Sequence, residues 1–247
     1  MHDTEPVNGI ILSSMPVGEA DRRLALLTKE LGKISCFARG ARRPTSRLVG
    51  DTHPFAFGVF ELTPGRDAYS LGQVEISEHF EAVQSDLTKS AYGACFLELS
   101  ARMSHENTDG GPQLSLLYYA LRALSRGIIP PALVKTVFDA KTLQGEGMFP
   151  EFGHCVKCGK AVETAVFKPA LMQIVCKSCA DGEAVYPLSK SALYALNFIY
   201  RTEPAKLFTF SVTESVQKEM TDVVDVLLKY ALEKPLKSAE LLDVLIS

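Results

Sequence analysis

Three observations predict an α+β multidomain chain: five short apolar runs before residue 80, helical periodicity from about Ala82 onward, and four cysteines clustered between Cys155 and Cys179. The expected plan is a β-barrel at residues 1–80 and a helical domain in two parts, 81–150 and 184–247. A metal-binding module at 151–183 interrupts the helices.

The barrel is read from its runs in order. Val7–Leu12 is the first, and Lys33–Ala38 follows the turn-like Glu30-Leu31-Gly32. Periodicity leaves Arg22–Lys29 open between helix and strand; the glycine turn leading directly into a β-type run favours a strand hairpin. Pro54–Leu62 and Ala68–Ile76 form a second hairpin across Thr63-Pro64-Gly65-Arg66-Asp67, where proline and glycine preset the turn. Five short antiparallel strands fit an OB-fold barrel, which leaves few exposed edges. An SH3-like barrel remains a rival that periodicity does not separate.

Beyond the barrel, Ala94, Leu97 and Ala101 recur at helical steps, as do Leu114, Leu117, Leu121 and Leu124. Pro112 and Pro131 mark helix starts and Gly127 a helix end. Further helices are expected over Lys190–Tyr200, over Thr213–Leu232 and after Pro235. Phe149–Glu183 lacks helical periodicity and reads as a compact insertion.

Composition narrows the function. With 47% hydrophobic and 22% charged residues over 247 positions, the chain is globular rather than fibrous or disordered. The polar start Met-His-Asp-Thr-Glu-Pro does not read as a secretory signal, and charges interrupt every apolar run short of a bilayer span, so the expected location is cytoplasmic. A net charge of −3 means that any nucleic-acid site must be a local patch.

Such a patch exists. Lys33, Arg39, Arg42, Arg43 and Arg47 fall in a window, Leu31 to Gly50, that contains no Asp or Glu. Gly40 to Arg47 reads as a loop leaving a strand and stiffened by Pro44, with guanidinium groups able to grip phosphates without reading sequence. The bland alternative is a solvated basic loop. Phe37, Phe55, Phe57, Phe60 and Tyr69 lie in the runs, and strand alternation leaves at best a subset for base stacking.

Cys155-Val-Lys-Cys158 and Cys176-Lys-Ser-Cys179 are two Cys-x-x-Cys knuckles seventeen residues apart, the spacing of a four-thiolate zinc site. Four protein ligands leave no open position for water, so the zinc would be structural. Two disulfides, a redox dithiol and an iron–sulfur cluster are the weaker readings, and His154 is a neighbour of a complete set. Cys36 and Cys95 read as small buried hydrophobes.

No phosphate-binding loop, dinucleotide fingerprint, H-E-x-x-H or G-x-S-x-G motif occurs, and His2, His53, His79, His105 and His154 are scattered. Glu75 and Glu78 read as solvated charges. The expectation is a protein that binds and positions, without catalytic residues.

In order, these parts resemble the RecO family of bacterial recombination mediators over nearly the whole chain. The likeness is carried by Leu31-Gly32-Lys33, Arg39-Gly40-Ala41-Arg42-Arg43-Pro44, Ser46-Arg47-Leu48, the hairpin Phe55–Ile76, Lys135–Pro150, and the two knuckles with Phe167–Cys176. It implies a protein that binds single- and double-stranded DNA, anneals complementary strands and, with RecR, loads RecA onto strands coated by single-stranded-DNA-binding protein, in the bacterial cytoplasm at the nucleoid. Arg39, Arg42, Arg43 and Arg47 match the family's basic element, and Cys155, Cys158, Cys176 and Cys179 its metal ligands. Where many relatives carry Gly-Gly before the third ligand, this chain has Met172-Gln173. The family's helical domain is expected to receive the acidic, Phe-ended tail of single-stranded-DNA-binding protein. Arg122 and Arg126, four apart, are candidates for its cation, against a reading in which they only complement a helix dipole. The competing function is a zinc-stabilised adaptor whose basic loop docks an acidic protein.

Overall fold

The computed structural model describes residues 5–182 and 186–246; His2 and Glu183 lie outside them. Five strands form the barrel: β1 (Glu5–Val17), β2 (Asp21–Thr28), β3 (Gly32–Ala38), β4 (Phe57–Thr63) and β5 (Tyr69–Glu78). The closed order is β1-β2-β3-β5-β4. β3 meets β5 in parallel, with Cys36 opposite Tyr69 and Phe37 opposite Ser70, and β4 returns to β1. This closure is that of an OB-fold barrel and removes the SH3-like alternative.

β1 runs well past the expected Leu12 because it serves two neighbours. Its first half pairs with β4, from Glu5 opposite Leu62 to Ile10 opposite Phe57, and its second half carries the pairing with β2. A bulge between Ile11 and Ser13 bends the strand and resets which face each residue occupies. Val7 and Ile11 point into the barrel with Leu24, Leu26, Ile34, Cys36, Ala38, Phe60 and Leu62. Ile10, Leu12 and Leu27 instead join the helical core.

β4 starts at Phe57 rather than Pro54. Phe55 is left-handed (φ 75°) and buried, and its ring lies so close to Gly93 that a Cβ there would sit 2.7 Å from it. Tertiary packing, not strand propensity, decides this residue.

The helices are α1 (Glu81–Gln84), α2 (Leu87–Met103), α3 (Gly111–Arg126), α4 (Pro131–Gly145), α5 (Lys190–Arg201), α6 (Pro204–Leu207), α7 (Glu214–Ala231) and α8 (Lys237–Ile246). Asp86, Ser189 and Thr213 cap α2, α5 and α7 through side-chain oxygens, and Gly127 (φ 66°) ends α3 as its position implied. No helix among the described residues is long and apolar enough to cross a membrane.

The barrel is seated on the helices by backbone. Lys33 N donates to His105 O (3.0 Å), Asn107 N to Leu31 O (3.0 Å) and Gly110 N to Lys29 O (3.0 Å). A Cβ on Gly110 would lie 2.1 Å from Thr28 O, and one on Gly32 would lie 2.2 Å from His105 O, so both positions need glycine. One apolar core then runs from Ile10 through Phe96 and Phe138 to Phe167 and Ile174 of the cysteine module. A small sheet has the order β7 (Gln173–Val175), β6 (Ala165–Lys168) and β8 (Tyr186–Leu188), so its third strand comes from beyond the expected module limit at 183. At the β6–β7 turn Met172 itself adopts the left-handed conformation (φ 51°), after a 3-10 turn at Pro169–Leu171.

Candidate metal centre and nucleic-acid interface

Each cysteine pair is shaped by its own backbone. In the first, Gly159 N donates to Cys155 O (2.8 Å) and Cys155 N to Lys160 O (2.9 Å), with Gly159 left-handed at φ 71°. In the second, Cys179 N donates to Cys176 O (3.0 Å). Val156 N donates to Ile174 O (3.0 Å), which fastens the first knuckle to β7. The four Sγ atoms of Cys155, Cys158, Cys176 and Cys179 all lie within 4.8 Å of one another, and those of Cys158 and Cys176 are 3.8 Å apart. A tetrahedral zinc with bonds of about 2.3 Å requires edges of roughly 3.8 Å, so the donor set fits. Val166 and Val175 back the site, while His154 is exposed and outside the group.

The thiols divide sharply. Backbone N–H groups, that of Cys176 foremost, pull Cys155 down to about 6; shared hydrogen bonding with the thiols of Cys176 and Cys158 pushes Cys179 up to about 12. Four sulfurs this close cannot all carry charge unaided, and a divalent cation at their centre would remove the conflict.

The basic loop is folded rather than trailing. Gly40 N donates to Asp21 Oδ1 (2.7 Å), Arg42 N to Ala20 O (2.8 Å) and Arg42 Nη1 to Gly18 O (3.0 Å), which brace the loop against the β1–β2 turn, with Ala41 buried as an anchor. Arg39, Arg42, Arg43 and Arg47 are exposed together here, and none is in an ion pair among the described residues. Lys33 is set apart from them. Its Nζ donates to Ala101 O near the end of α2, so this half-buried side chain is engaged in the seam between barrel and helices.

The aromatic residues separate by burial. Phe60 fills the barrel, Tyr69 packs partly against the same core, Phe55 lies under α2, and Phe57 stacks on Tyr118 at 4.8 Å. Phe37 stays on the outer face, with the Arg23 guanidinium 5.9 Å from its centroid. Arg23 was not among the sequence-level candidates. It lies outside the acid-free window, but strand alternation against inward Leu24 and Leu26 carries its signal.

Arg122 and Arg126 sit on the last two turns of α3. They line a groove of about 430 Å³ with Tyr119, Ile128, Phe208 and Phe210. The Arg122 guanidinium lies 5.6 Å from the Tyr118 centroid.

Comparison with known proteins fits the order of these parts. The family model described as Recombination protein O N terminal matches residues 1–80, and that described as Recombination protein O C terminal matches 84–240. The chain belongs to the RecO family. It is 32% identical to the DNA repair protein RecO of Acetivibrio thermocellus over 229 residues, 92% of this chain and 91% of the relative. It is 31% identical to that of Desulforamulus reducens over 240 residues (96% and 93%), and 28% identical to that of Bacillus subtilis over 236 residues (95% and 92%). As a RecO-family DNA repair protein it combines an OB-fold barrel, a helical region and four cysteines able to hold a metal ion.

Proposed function

We propose that this chain is a non-enzymatic recombination mediator. It binds single- and double-stranded DNA, anneals complementary strands and, with RecR, helps load RecA onto strands coated by single-stranded-DNA-binding protein. The observation that carries the reading is the braced loop: four exposed arginines, Arg39, Arg42, Arg43 and Arg47, free of carboxylate partners among the described residues of an acidic protein. Guanidinium–phosphate pairing is independent of sequence, and lowering the repulsion between two polyanions is what annealing needs. No covalent step enters. Lys33 contributes by positioning the barrel on α2, and to the patch only through its charge.

The division of labour follows the chain: residues 1–80 hold DNA, 81–150 and 184–247 receive proteins, and 151–183 is a scaffold closed by one zinc ion on Cys155, Cys158, Cys176 and Cys179. The apolar groove beside Arg122 and Arg126 suits an acidic peptide ending in phenylalanine, the tail of single-stranded-DNA-binding protein. The site of action is the bacterial cytoplasm, at the nucleoid.

The experiment is ATP-free annealing of complementary oligonucleotides by wild type and by the Arg42→Ala/Arg43→Ala/Arg47→Ala variant. Annealing by wild type and its loss in the variant support the reading. Equal DNA affinity of the two proteins overturns it in favour of a protein adaptor.

A further inference from the structure

Between α4, α7 and α8 lies a cavity of about 670 Å³ that shares no lining residue with the α3 groove. Its apolar walls include Leu228 and Leu232 from the end of α7 and Leu236 and Leu242 from around α8. The α8 wall is held from α2. Glu98 accepts from Ser238 N (2.9 Å), Ser238 Oγ (2.7 Å) and Lys237 N (3.2 Å), and Arg102 donates to Pro235 O (3.0 Å). A carboxylate from another helix thus satisfies the free N–H groups at the start of α8, so the wall is in place before any ligand arrives.

Five carboxylates and two ammonium groups line this cavity. Lys135 and Asp139 neutralise each other at 2.5 Å, which leaves Asp225, Glu233, Glu240 and Asp243 against Lys229 alone. These acids are graded in burial: Asp225 is half-buried, while Glu233, Glu240 and Asp243 are exposed. Burial pushes the Asp225 carboxyl above its usual range, and Lys135 offsets this only in part. Tyr92 of α2 is an independent sign of a missing partner. It lines the cavity and is 5% exposed, yet its hydroxyl makes no hydrogen bond among the described residues, and the oxygen is open to contact rather than sealed in. A buried hydroxyl left unpaired is costly, and a ligand N–H reaching it would relieve that cost.

We propose that this cavity binds a linear alkyl polyamine. The methylene chain suits the leucine walls, and ammonium groups spaced along it meet carboxylates that run from half-buried Asp225 to exposed Glu240 and Asp243. The innermost ammonium donates to the Tyr92 hydroxyl as well as to Asp225. Lys135 does not oppose it, because Asp139 neutralises that charge. A lysine side chain from a partner protein brings one charge and leaves the rest of the acids unmatched. An acidic peptide of the kind that suits the α3 groove is repelled, so the two concavities select ligands of opposite sign. No residue of the arginine loop lines the cavity, and the proposal is independent of DNA binding.

The test is isothermal titration calorimetry on the full chain, free of DNA and at fixed low ionic strength, with four probes: spermidine, butylamine, a peptide carrying a single lysine, and glutarate. Wild type should bind one spermidine per chain, roughly tenfold or more tightly than butylamine or the peptide, since a hydrogen bond between charged partners is worth at least about that factor. Glutarate, with its charges reversed, should not bind. Asp225→Asn should weaken spermidine binding by roughly tenfold or more and Tyr92→Phe by about two- to tenfold, in proteins whose thermal melting shows that they fold. Wild type that fails to take up spermidine at one per chain overturns the proposal and needs no variant. Wild-type affinity in either variant overturns it too, since the binding is then a diffuse effect of surface charge. A single-lysine peptide that binds as tightly as spermidine overturns the polyamine and gives the cavity to a partner's side chain.

Discussion

Lys135 Nζ meets Asp139 Oδ2 at 2.5 Å, one turn along α4, where Asp139 is only 1% exposed. Burial works against the Lys135 charge, but the carboxylate beside it overrides this and raises the ammonium above its usual range, with Asp225 adding to the effect. Removing one partner leaves the other charge buried alone. Lys135→Met is therefore expected to cost about 3–5 kcal/mol in urea denaturation, and the double variant Lys135→Met/Asp139→Leu to recover much of it. A single variant as stable as wild type would show that the pair is effectively solvated.

Metal content is the next measurement. Elemental analysis of the purified chain should find about one zinc per protein, and Cys158→Ser should lose it and unfold residues 151–182, since structural zinc is worth on the order of 10 kcal/mol in small modules. Unchanged thermal stability in excess chelator would argue against a scaffold role.

Salt dependence separates the arginines from one another. Each phosphate contact removed from single-stranded DNA binding should flatten the plot of log K against log salt by about 0.7, so the triple loop variant should lose a slope of about 2. Lys33→Met should change that slope little, because its Nζ is occupied by Ala101 O; its cost should appear in stability instead.

For the α3 groove, Arg122→Ala/Arg126→Ala should weaken binding of an acidic peptide ending in phenylalanine by about tenfold or more, the worth of a charge-assisted hydrogen bond. DNA affinity should be unaffected. Equal peptide affinity would return the two arginines to helix-end electrostatics.

What could be read from the sequence was local. Ile34, Cys36 and Ala38 alternate with outward residues, so β3 was legible, and two Cys-x-x-Cys pairs carry their geometry in their spacing. Arg42, Arg43 and Arg47 stood out because no acid lies near them in the chain. The bulge after Ile11 breaks the alternation on which strand reading depends, which hid the second half of β1. Left-handed Phe55 packs its ring on Gly93, and Lys33 is engaged by Ala101, contacts made across 38 and 68 positions of chain that no local pattern encodes. Met172 occupies the left-handed turn position without being glycine, and Cys176 still joins the cluster.

The glycine-mediated seam at Gly32 and Gly110 leaves no slack between barrel and helices. The backbones of barrel and helices meet there directly, through Lys33 N to His105 O and Gly110 N to Lys29 O. If DNA is held on the strands and a peptide beside α3, as proposed, a close-fitting seam of this kind would leave the reach between the two faces to the cargo rather than to the carrier.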